Sequence, residues 1–145
     1  MTKDVYDVIH RKLKELENNL IFLKQVSFDV NKDNLKEDMI RYWGIERGIQ
    51  ICIESVIYIG NILISVTDND KPSTYKETMI TLSQIGVISE KFSKKLSKMV
   101  GFRNILVHDY TKIDEDMIIY ILKTELDDFI KYMDYVDKWL KENYK

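Results

Sequence analysis

The sequence predicts an all-α protein, an up-and-down bundle of about five helices. Apolar residues recur three and four positions apart rather than two, the spacing that gathers them on one side of a helix. One proline and five glycines leave few places for the chain to turn. Side chains able to cap a helix, Asn34, Thr74, Ser89 and Asp114, stand where successive apolar stripes begin. With 45% apolar residues in 145, the chain can bury a core without staples or metal, and it is read as one domain over residues 1–145.

The first helix is expected over about Lys3 to Val26, where Val5, Val8, Ile9, Leu13, Leu16, Leu20 and Leu23 form one stripe. The polar stretch 29–34 breaks it. Asn34, with Glu37 three residues on, has the form of a capping box for a second helix reaching about Thr67. From Ile49 that helix is apolar nearly all round, so it must be covered on more than one side. It is expected to be central, with a further face given to a second copy of the chain. Gln50, Glu54, Ser55 and Asn61 interrupt its apolar run, which falls short of the uninterrupted stretch a bilayer helix needs, and no membrane contact is expected. After the turn DNDKPS, Thr74 and Glu77 make a second capping box for a short helix ending near Gly86. Ser89 opens the fourth helix, which carries Phe92, Leu96, Met99 and Val100 toward the core. Asp114 opens the fifth, where Ile118, Ile121, Leu122, Leu126, Phe129, Met133, Val136 and Leu140 continue nearly to the C-terminus.

A balance of 22 Lys+Arg against 24 Asp+Glu, net charge −2, argues against a protein that coats nucleic acid by charge alone, so any such contact must be local. Lys91, Lys94, Lys95 and Lys98 gather ahead of Arg103, and those lysines read as a solvated helix face. Cys52 has no second thiol to pair with, and the N-terminus is charged from Lys3 without the apolar run of a secretory signal. Both point to the cytoplasm. His10 and His108 are the only histidines and no carboxylate cluster has ligand spacing, so no metal is expected. A glycine-rich loop for a nucleotide phosphate is missing from the sequence, and no other cofactor is expected.

On a helical wheel at about 100° per residue, Arg103 falls among Phe92, Leu96, Val100 and Val107, away from the lysines. A guanidinium keeps its proton, so when half-buried it needs an anion or several acceptors. Two partners are open. One is Glu54, itself stranded in the apolar second helix; the other is a phosphate in a cleft at a subunit boundary. His108 follows five residues later, about 140° around the axis, so the two side chains share no face of a continuous helix. Either the helix loosens near Val107, leaving His108 and Tyr110 in the turn before Asp114, or the site is assembled from two chains across a two-fold axis.

The run Gly101-Phe102-Arg103-Asn104-Ile105-Leu106-Val107-His108-Asp109-Tyr110 closely resembles the R-x4-H-x-Y signature of HepT-like proteins in the HEPN superfamily. The segments RYWGIERGIQICIESVIYIGNILIS, YKETMITLSQIGVISEKFSKKLSKMVGFRN and KTELDDF also resemble family counterparts, so the likeness covers most of the chain from Arg41 to Phe129. This resemblance implies a HEPN-like bundle that dimerises through helix faces, with two copies of the motif at a shared cleft that cuts RNA without a metal ion. It implies an endoribonuclease toxin of a type VII-like pair, neutralised by a nucleotidyltransferase antitoxin that transfers AMP to Tyr110. Arg103 and His108 correspond to the catalytic pair, with Asn104 and Asp109 as supporting residues. The chemistry is consistent: a metal-free cut takes the ribose 2′-OH as nucleophile, leaving the protein to supply a proton shuttle, which His108 can be, and positive charge on the crowded phosphorane, which Arg103 can supply. The competing reading is a non-catalytic helical module that partners a minimal nucleotidyltransferase, with Arg103 in an interface ion pair.

Overall fold

The computed structural model describes residues 1–108 and 110–144, the side chain of Tyr110 excepted. Helix α1 spans Lys3–Asp29, α2 Met39–Ser65, α3 Tyr75–Gln84 and α4 Glu90–His108. A 3-10 turn at Tyr110–Lys112 leads to α5, Glu115–Tyr120, and α6, Leu126–Asn143, which a π-helical turn at Ile121–Glu125 joins into one rod. The five helical rods match the expected bundle, and no strand occurs among the described residues.

Helix α1 buries Ile9, Leu16, Leu20 and Leu23, the expected stripe, and runs one turn past Val26 because nothing in Ser27–Asp29 breaks it. The start of α2 departs from expectation: Asn34 does not cap it. Asn34 instead bridges the turn after α1, its Oδ1 accepting from the Asn31 amide at 2.7 Å and its Nδ2 donating to the Asp29 carbonyl at 2.9 Å. The cap is Asp38, whose Oδ1 accepts from the amides of Ile40 and Arg41 at 3.0 and 3.1 Å. Asn and Asp cap about equally well, so two candidates four residues apart compete on what else the turn needs. Asn31 needs a cross-bridge, and Asn34 supplies it.

Helix α2 is the centre. Cys52, Ile53, Val56, Ile59 and Leu63 are fully buried, and the helix packs against α1, α3, α4 and α6. By length and composition it would suffice to cross a bilayer, yet more than half of its most apolar window is buried within the bundle, as a core helix requires. Polar contacts fix its neighbours: the Tyr132 hydroxyl on α6 donates to the Val56 carbonyl at 2.9 Å, and the Thr78 hydroxyl on α3 donates to Asn61 Oδ1 at 3.0 Å. Gly60 lets α3 approach, since a Cβ there would lie 2.9 Å from Leu82 Cδ1.

Thr74 caps α3 as expected, accepting from the Glu77 amide at 3.1 Å, but Glu77 reaches back one residue further, to the Ser73 amide at 2.9 Å. Gly86, at φ +84, takes the left-handed conformation that closes α3, and the Val87 amide then donates to the Leu82 carbonyl at 2.9 Å. The last rod departs from the single regular helix that its stripe predicts. The wide turn at 121–125 holds an extra residue, and the Thr124 hydroxyl donates to the Tyr120 carbonyl there at 2.6 Å. Beyond it Tyr132 is fully buried, while Met133 is only partly so.

Candidate functional site

Helix α4 sets the phase of the site. The Ser89 hydroxyl accepts from the Phe92 amide at 3.1 Å, and Phe92, Leu96, Met99, Val100, Phe102 and Leu106 turn into the core. Arg103 stands at the edge of that face with 19% of its side chain exposed. Its Nε donates to Glu54 Oε1 on α2 at 3.1 Å, and Gln50 Nε2, one turn earlier on α2, donates to the same oxygen at 3.1 Å. The guanidinium carbon lies 5.3 Å from the ring centroid of Tyr75, the first residue of α3. Glu54 therefore holds the guanidinium by one edge, and the guanidinium carbon lies over the Tyr75 ring. Among the described residues Glu54 is the only ion-pair partner of Arg103, and it engages Nε alone. Among the described residues no acceptor meets the terminal nitrogens, whose fork geometry matches two phosphate oxygens.

His108 ends α4 and is exposed. The helix stays regular through it, so the loosening that would swing His108 toward Arg103 does not occur; the chain changes only afterwards, at the Tyr110–Lys112 turn. Five helical residues separate the two side chains by about 140° around the axis and about 7.5 Å along it. Arg103 faces α2 and α3 while His108 faces outward, and a single chain presents them on different sides. Asn104 is exposed beside Arg103. Asp109 and the side chain of Tyr110 lie outside the described residues.

Lys91, Lys94, Lys95 and Lys98 are exposed, with Lys94 3.9 Å from Glu90 and Lys95 3.0 Å from the buried Asp128. They belong to a solvated face. Burial pushes the Cys52 thiol up to about 12, which keeps it an inert core residue. Among the described residues no three His, Cys, Asp or Glu side chains converge as metal ligands. Sequence reasoning missed Gln50 and Tyr75. Gln50 was detectable as the helical neighbour of Glu54 at i−4, whereas nothing local separates Tyr75 from the eight other tyrosines.

The outer side of α2 is continuous with this site. Ile40, Trp43, Arg47, Gln50, Glu54 and Tyr58 share one stripe about 27 Å long. Ile40, Trp43 and Tyr58 are 80%, 60% and 48% exposed. A groove of about 400 Å³ beside it, between α1 and α2, is lined by Phe22, Gly44, Arg47, Gly48 and Ile51 among others.

Known proteins share both sequence and fold with this chain. The mRNA nuclease HepT of Shewanella oneidensis is 28% identical over 130 residues, covering 90% of this chain and 96% of that protein. The tRNA nuclease HepT of Aphanizomenon flos-aquae is 24% identical over 136 residues, covering 92% and 90%. A solved structure of a tri-AMPylated Shewanella oneidensis HEPN toxin in complex with an MNT antitoxin superimposes with a TM-score of 0.82 at 26% identity, covering 95% of this chain and 99% of that one. The cytosolic protein YutE from Bacillus subtilis, at 21% identity, has the same fold with a TM-score of 0.82 over 96% and 92% of the two chains. The family model described as Ribonuclease HepT-like matches residues 16–136, a span that includes Glu54, Tyr75, Arg103 and His108, and the chain belongs to that family.

Proposed function

We propose that the protein is a cytoplasmic endoribonuclease toxin that cuts RNA as a homodimer, with Arg103 and His108 as its catalytic pair. The observation that carries this reading is the guanidinium of Arg103, held on one edge by Glu54, with no acceptor on its terminal nitrogens among the described residues. An arginine serving only an internal ion pair would be expected to engage the carboxylate with more than its Nε. In the reaction, the ribose 2′-OH loses its proton and attacks the adjacent phosphorus, and the bond from phosphorus to the 5′-oxygen breaks. The products are a 2′,3′-cyclic phosphate and a 5′-hydroxyl. Arg103 bears on the charge that accumulates on the non-bridging oxygens, and His108 moves the proton. The outward direction of His108 is accommodated when each cleft takes its arginine from one chain and its histidine from the other. The exposed apolar stripe of α2 beside Glu54 is the face offered for that pairing.

A nucleotidyltransferase antitoxin is the proposed partner, and Tyr110 the acceptor of AMP. Support comes from the AMPylated HEPN toxin of Shewanella oneidensis, to which this chain is similar in sequence and fold. A phosphodiester attached two residues after His108 adds negative charge that competes with RNA for Arg103. Asn104 and Asp109 are proposed to support the motif around the pair.

Expression of the wild type beside Arg103→Ala and His108→Ala, with sequencing of RNA ends, tests the reading. Cuts bearing cyclic phosphate are expected only in the wild type. RNA ends that do not differ among the wild type, the two variants and cells without the protein would return Arg103 to the role of an interface ion pair in a non-catalytic module. Incubation with the cognate transferase and ATP should add AMP masses to the wild type, and their persistence in Tyr110→Phe would place the modification elsewhere.

A further inference from the structure

An arginine side chain that grips a phosphate must surrender rotational freedom, and the surrender is smaller when the guanidinium plane is fixed beforehand. Glu54 alone does not fix it. One bond at Nε, in the plane of the group, leaves that plane free to swing about the line from Nε to the carboxylate. Tyr75 acts on the remaining freedom: it comes from a different helix, and its ring lies against the guanidinium 5.3 Å from centroid to carbon. The ring is itself anchored, since Thr74 caps α3 immediately before it and Tyr75 packs partly buried against the core. Gln50 meanwhile donates to the same oxygen of Glu54 that Arg103 uses, so the carboxylate does not turn away.

We propose that Tyr75 is a positioning residue for Arg103, its ring fixing the guanidinium plane so that the edge opposite Glu54 meets two oxygens of the scissile phosphate. The proposal rests on Arg103 being the residue that grips the phosphate. Aromatic surface is what it requires at position 75, and the phenol hydroxyl is dispensable.

The test uses a synthetic oligoribonucleotide spanning the strongest cut found by end sequencing, together with the Arg103 Nε–H resonance in nitrogen-15-labelled protein. Tyr75→Phe is expected to keep kcat within about twofold and leave the resonance in place. Tyr75→Leu should lower kcat about tenfold with KM little changed, shift the resonance out of the ring's field, and leave the unfolding midpoint near that of the wild type. In an Arg103→Lys background, where no flat group remains to orient, Tyr75→Leu should cost no more than about twofold. If Tyr75→Leu does not fold, Tyr75→Met keeps the bulk without the ring and takes its place. Wild-type kcat and an unmoved resonance in the leucine or methionine variant would overturn the proposal. Wild-type cleavage by Arg103→Ala would instead overturn the underlying reading of the site, while the resonance would still decide whether Tyr75 holds the guanidinium.

Discussion

At the scale of single residues, the site is a cation and an anion that the surrounding core tolerates only together. Arg103 and Glu54 have 19% and 36% of their side chains exposed, between the surface pairs that contribute little and the buried pairs whose rupture is severe. Removing Glu54 leaves a half-buried guanidinium without its only described partner, so Glu54→Ala should destabilise the fold by about 1–2 kcal/mol in urea titrations. Glu54→Gln keeps an oxygen for Nε and should cost less. Equal stability of all three proteins would mean that the pair is idle. Both residues were conspicuous in the sequence for one reason: each is a charge on an otherwise apolar helical face, which the wheel exposes. Tyr75 was not conspicuous, because a tyrosine at a helix start violates no pattern, and its importance comes from a neighbour 28 positions away that only the tertiary fold supplies.

At the scale of elements, the helices were legible because period and caps are local properties, and the departures arise where two local solutions compete. Asn34 and Asp38 offer the same capping chemistry, and the bond that Asn34 Oδ1 accepts from the Asn31 amide commits Asn34 to the turn. The π turn at Ile121–Glu125 has no local signal in the sequence, and it shows only beyond itself, where Tyr132 rather than the expected Met133 is fully buried. Glu125, the last residue of that turn, carries an electrostatic cost. Burial, and then the neighbouring Asp128, hold the Glu125 carboxyl above the ordinary glutamate value of 4.5. A carboxyl raised by folding favours the native state while protonated and loses that contribution as pH climbs through its folded value, so at neutral pH Glu125 is a cost. Glu125→Gln should therefore raise the melting temperature slightly at pH 7, by the equivalent of about 0.5 kcal/mol or less, and the gain should vanish below pH 4.5. A gain that persists in acid would assign the effect to packing instead.

At the scale of the whole molecule, the chain's surface and the proposed pairing of Arg103 with His108 ask for the same thing. Phe22, Phe28, Ile40 and Trp43 are 67%, 86%, 80% and 60% exposed, more large apolar surface than a solvated helix pair needs. The stripe from Ile40 to Tyr58 passes Glu54, so a chain docked there comes close to the guanidinium. Within one chain the regular end of α4 points His108 away from Arg103, so the proposed pairing of the two needs a two-fold partner to bring the imidazole. Mixing tests this directly. Arg103→Ala and His108→Ala proteins, each inactive alone, are unfolded and refolded together in equal amounts. Half of the dimers then carry one copy of each, and in each mixed dimer one cleft has both an intact arginine and an intact histidine. About a quarter of the wild-type cleavage rate should return if the two residues act across the subunit boundary. A mixture that stays inactive while forming dimers would place the pair within a single chain, and α4 would then have to unwind at Val107 when RNA binds.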